Sequence, residues 1–181
     1  MRQAVGAHDG GDHVLAARSY REALRLSPST RGAYQNLALL AEHAGRREDA
    51  VTLARMELDS HPELVSPRLN AAVLLLRAGR PDEALDAIAP LGGAAPAALR
   101  IGAHHLRAQR ALTAGALDTA LQELDAALEL ADSLVPGLQL DRALVLAHMG
   151  AAARANVAID SILTRDPSQR RALRLRALIA Q

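Results

Sequence analysis

Residues 34–62, YQNLALLAEHAGRREDAVTLARMELDSHP, decide how this chain is read. Tyr34, Leu37, Ala38 and Ala41 fall at i, i+3, i+4 and i+7, the spacing of one face of an α-helix. After Gly45 a second stripe follows, carried by Ala50, Leu53, Ala54 and Leu58. Glycine takes the left-handed backbone that ends a helix, which a Cβ resists. Glu48 and Asp49 then place negative charge at the positive end of a starting helix. Pro62 closes the segment, because it lacks the amide hydrogen a helix interior needs. The segment is two short amphipathic helices joined by a turn.

The same plan recurs along the chain. Gly11, Gly45, Gly79, Gly115 and Gly150 are separated by 34, 34, 36 and 35 residues. Five residues after each stands an alanine: Ala16, Ala50, Ala84, Ala120 and Ala155. A small residue there suits a close helix crossing. Seventeen residues after four of the glycines stands a proline: Pro28, Pro62, Pro96 and Pro167. In a chain so rich in alanine the prolines are the stronger evidence, since only eight exist and half fall in register.

Carried by Tyr34, Asn36, Leu37, Ala38, Ala41, Gly45, Ala50, Ala54, Leu58 and Pro62, this pattern resembles the tetratricopeptide repeat, a helix–turn–helix of about 34 residues. The resemblance covers almost the whole chain, at 1–30, 31–64, 65–100, 101–135 and 136–169, with a partial unit at 170–181. It departs from the family in its aromatics, which survive only as Tyr20 and Tyr34. The implied fold is all-α: a right-handed superhelical solenoid of antiparallel helix pairs, forming one repeat domain over 1–181. The expected helices are 1–9, 13–26, 30–44, 47–60, 63–78, 81–89, 96–114, 117–131, 138–149, 152–164 and 167–180. Pro90 and the pair Gly92 and Gly93 are expected to shorten the sixth of these and leave a longer loop. Both chain ends fall inside a first helix of a unit. The Arg-rich residues 168–181 are expected either to cap the array or to continue into a longer protein.

Composition supports helices. Half of the 181 residues are hydrophobic, yet Phe, Trp and Cys are absent, so the core is built from Ala, Leu, Val and Ile. Strand-forming residues are too sparse for a large sheet. The net charge of +1 gives no bulk attraction to nucleic acid or anionic membrane, and every basic residue is Arg. Without Cys there is no disulfide, thiolate nucleophile or cysteine zinc site. MRQAVGAHDGG has no apolar leader, and the longest apolar run, 71–76, is far short of a membrane span. A soluble cytoplasmic protein is expected.

No motif carries chemistry. His104 and His105 are neighbours, about 100° apart on a helix, and cannot simply chelate one ion. There is no P-loop, dinucleotide fingerprint or nucleophile elbow. Neither a catalytic nor a metal site is expected, and no cofactor. Arg170, Arg171, Arg174 and Arg176 form the one local charge excess. Without an aromatic for base stacking they read as a solvated or capping face rather than a nucleic-acid grip.

The resemblance implies a concave face lined by the first helix of each unit, receiving a partner peptide or helix. Its residues would be Gln35, Asn36, Leu39, Glu42 and His43, then Leu69, Asn70, Val73, Leu76 and Arg77. His105, Gln109 and Leu112 follow, then Leu140 and Leu144. Residues 69–76, LNAAVLLL, are apolar all round, more than one buried stripe requires. The expected function is a protein–protein interaction scaffold. Two alternatives stand beside it: the docking arm of a larger transferase- or hydroxylase-type enzyme, and nucleic-acid contact through the Arg170 to Arg176 face. Exposed terminal helices offer a second copy of the chain a place to dock.

Overall fold

The computed structural model describes residues 12–133 and 135–180. The chain divides into two compact units, Met1–Ala95 and Pro96–Gln181. The first holds α1 (His13–Leu26), α2 (Ala33–His43), α3 (Arg47–Ser60), α4 (Val65–Arg77) and α5 (Pro81–Ile88), followed by a 3-10 turn over Ala89–Ala94. The second holds α6 (Ala97–Thr113), α7 (Leu117–Glu129), α8 (Pro136–His148), α9 (Ala152–Arg165) and α10 (Arg170–Ile179). No strand occurs among the described residues. Each helix packs chiefly on its neighbours in sequence within its unit, α2 on α3, α4 on α5, α6 on α7 and α8 on α9.

The periodic glycines make the turns inside these pairs. Gly45, Gly79, Gly115 and Gly150 have φ of +74°, +72°, +74° and +75°. At the first of them Gly45 N–H donates to the Glu42 carbonyl at 2.8 Å, and Arg46 N–H reaches back to Ala41 at 2.9 Å. This double bond pattern satisfies carbonyls that a helix end otherwise leaves open. Arg80, Ala116 and Ala151 repeat the longer bond to Leu75, Ala111 and Leu146.

The periodic alanines are the helix crossings. Ala16, Ala50, Ala84, Ala120 and Ala155 are all buried. In the first unit Ala38, Ala41, Ala50, Ala54, Ala71 and Leu74 form one cluster, beside a second built on Tyr20, Leu37 and Leu40. In the second unit Leu124, Leu138 and Val145 centre one cluster, and Leu146, Ile159 and Ile162 another.

Helix limits follow local chemistry. α1 and α3 have the expected spans. α2 starts at Ala33 instead of residue 30, because Thr30 turns its hydroxyl to the Ser27 carbonyl at 2.6 Å and Gly32 stands at φ +77°. α10 starts at Arg170 instead of 167, with Gln169 capping the amide of Ala172 at 2.8 Å. The longer loop expected around Pro90 is a compact 3-10 turn, with Gly92 at φ +52°. The helix expected over 1–9 lies outside the described residues.

Candidate functional site

Within the first unit α2, α3 and α4 enclose a pocket of about 120 Å³. Its position follows from helical spacing. From α2 come Gln35, Leu39 and Glu42, which are 10, 6 and 3 residues before Gly45. From α4 come Asn70, Val73 and Arg77, which are 9, 6 and 2 residues before Gly79. Six of the expected groove residues therefore meet in one place. Ala38, Leu74 and Pro67 complete the walls, and Ala54 and Glu57 of α3 form part of the lining. Arg77 donates to Glu42 in a charge-assisted bond between α4 and α2.

Glu57 is the residue that periodicity alone passed over. It is only 2% exposed, the one buried charged side chain among the described residues. Its Oε1 accepts the Gly32 amide at 2.7 Å and its Oε2 the Gln35 amide at 3.3 Å. A carboxylate is thereby set against the positive start of α2, which is how its burial is tolerated. His61 Nε2 lies 3.9 Å away, beyond hydrogen-bond reach, and has no hydrogen-bond partner among the described residues. The sequence signal for Glu57 was its place 12 residues after Gly45, where Ala23, Ala127 and Ile162 stand after their own glycines.

Other expected residues lie apart from this pocket. Asn36 donates its side-chain amide to the Gly32 carbonyl at 2.8 Å, a turn-stabilising bond at the start of its own helix. His43 faces His13, with ring centroids 6.0 Å apart. Leu69 and Leu76 are half-buried and do not line the pocket; each sits one helical step, about 100°, from Asn70 and Arg77. Ala71, Ala72, Leu74 and Leu75 are buried, which accounts for half of the all-round apolar run on α4.

The second unit repeats the arrangement with different chemistry. His105, Gln109 and Leu112 line a pocket of about 230 Å³ with Asp141 and Val145. Leu140 and Leu144 line another, of about 410 Å³, with Arg171, Arg174, Leu175 and Leu178. Asp141 joins the two: its Oδ2 pairs with His105 Nε2 at 2.7 Å and its Oδ1 with Arg171 at 3.5 Å. His104 turns instead to Glu123 at 2.7 Å, so the neighbouring histidines serve different helices. Among the described residues no group of His, Asp and Glu is arranged to hold a metal ion, and no helix is long and apolar enough to cross a membrane.

Solved structures with this arrangement are tetratricopeptide-repeat proteins. YrrB, described as a TPR protein with an unusual peptide-binding site, aligns over 94% of this chain and 87% of its own, with a TM-score of 0.69 and 18% identity. A tetratricopeptide repeat protein from Parabacteroides merdae aligns over 98% of this chain and 70% of its own, with a TM-score of 0.67 and 20% identity. MamA aligns over 99% and 98% respectively, with a TM-score of 0.65 and 14% identity. No protein-family profile and no curated protein sequence matches the chain. The likenesses show the fold: an all-α solenoid of the tetratricopeptide-repeat kind.

Proposed function

We propose that the chain is a protein-interaction scaffold whose first helices present apolar grooves to a partner peptide or helix. The observation that carries this reading is the pocket between α2, α3 and α4. Leu39 and Val73 offer apolar surface there, while Gln35, Asn70 and the Glu42–Arg77 pair supply polar groups around it. That mixture is what small recognition sites use: apolar burial for affinity, at about 25 cal/mol per Å² before ordering costs, and a few polar groups for orientation. The peptide-binding site ascribed to YrrB, on the same fold, supports the reading. Of the Arg-rich face, Arg171 and Arg176 already pair with Asp141 and Asp160, which favours a peptide groove over nucleic-acid contact as the working surface.

The test is selection of binders from a displayed library of random peptides, scored against two variants. Val73→Glu puts a charge in the groove, and enriched peptides should lose at least ten-fold in affinity. Val157→Glu alters a side chain that is 71% exposed on α9 and should change nothing. Peptides bound equally by wild type and Val73→Glu would overturn the groove reading.

A further inference from the structure

At the first-unit pocket two interior positions depart from the pattern of the chain's other repeats. Nine residues after the turn glycine the other repeats carry Tyr20, Ile88, Leu124 and Ile159, all buried, but this repeat carries Ala54. Twelve residues after the glycine stands Glu57, in place of the apolar Ala23, Ala127 and Ile162. A large apolar side chain is thus replaced by a small one, and an apolar one by a carboxylate, on the same face of α3. Packing alone favours neither change: the first leaves space and the second buries a charge.

Capping accounts for only part of Glu57. The N-cap residues of α6 and α8, Pro96 and Val135, make no capping bond with their own side chains, and neither does Gly32 of α2. Each Glu57 oxygen accepts one backbone amide, whereas an ionised carboxylate has about four acceptor sites. Nearby, Glu42 already has Arg77 as its counter-charge. Glu57 is the carboxylate of this pocket without a hydrogen-bonded cation.

We infer that this pocket accepts a lysine side chain from a partner peptide, with Glu57 as its counter-charge; the inference rests on the groove reading above. Size supports it. A cavity of about 150 Å³ holds benzene, so the 120 Å³ here suits about five non-hydrogen atoms, the count in a lysine side chain beyond Cα. Leu39, Val73 and Ala54 would cover the four-carbon stem while the ammonium meets the carboxylate. A guanidinium is bulkier and planar. An uncharged apolar side chain would leave the buried Glu57 carboxylate with only the His61 ring, 3.9 Å away, beside it, which is costly. None of these 181 residues is a lysine, so none of them supplies the occupant.

The experiment uses the full chain and the same displayed library, followed by anisotropy with the enriched peptides. Lysine should be enriched at one anchor position, and its replacement by norleucine or acetyl-lysine should weaken binding at least ten-fold. Glu57→Gln should abolish the preference for lysine over norleucine. Ala54→Ile, which supplies the residue Ile88 and Ile159 provide elsewhere, should block lysine peptides at an undiminished melting temperature and leaves the carboxylate in place. This second variant decides the matter if Glu57→Gln folds poorly. Peptides that are lost with Val73→Glu but show no lysine preference would overturn the lysine inference and leave the groove standing. The absence of any peptide sensitive to Val73→Glu would overturn both.

Discussion

Replacing Glu57 by Ala tests whether a buried carboxylate holds the start of α2. The 2.7 Å bond from Gly32 is charge-assisted, and bonds of that kind contribute about 1.5–3 kcal/mol. The 3.3 Å bond from Gln35 is longer and contributes about 0.5 kcal/mol. Interaction of the charge with the helix start adds about 0.3–1 kcal/mol. Against these stands the cost of burying the carboxylate, which the alanine variant no longer bears. A pocket of 120 Å³ is also roomy enough for water to reach the freed amides. The net expectation is a loss of about 1–3 kcal/mol, with Glu57→Gln losing roughly half because one acceptor oxygen remains. Urea unfolding followed by far-UV circular dichroism measures the loss. Native-state hydrogen exchange locates it: protection should fall about ten- to hundred-fold at the amides of Gly32 and Gln35, with little change at α9. A Glu57→Ala protein as stable as wild type, with those amides equally protected, would refute the capping argument.

Two further outcomes test the turns and the surface. Gly79→Ala forces a Cβ into a φ of +72°, although nothing lies within 4 Å of that Cβ, so the cost is backbone strain alone and should be about 1–2 kcal/mol by urea unfolding. At Glu22, hydrogen bonds from Arg25 at 2.9 and 2.7 Å hold the carboxyl below its usual 4.5. A depressed carboxyl contributes stability above its unfolded pKa and loses it as pH falls through the folded value. An NMR titration should therefore place the Glu22 midpoint below 4.5, and Arg25→Ala should return it upward.

Much of the fold was legible because its determinants are local. The 34-residue spacing of Gly45 and Gly79 fixes where two helices must break, and the left-handed φ at each needs no knowledge of distant contacts. Ala50, Ala84 and Ala120 could be placed at crossings because helical periodicity states which face of each helix they occupy. The groove was legible by face but not by partner. Leu39 and Val73 were expected together and do share a pocket, whereas Leu76, only three residues beyond Val73, does not line it. Which of two adjoining faces meets α2 depends on how α3 sets the approach of the two helices, and no local pattern records that.

Glu57 marks the limit most sharply. By itself the sequence determined an all-α array of helix pairs, its turns and its small-residue crossings, since these arise from backbone conformation and from apolar spacing along single helices. Only the tertiary structure decided that Glu57 reaches across to the start of α2, and that it and Ala54 line one pocket with Leu39 and Val73. A pocket is the space three helices leave between them. Its shape and charge follow from packing among residues up to 42 positions apart, from Gln35 to Arg77, which local periodicity does not encode.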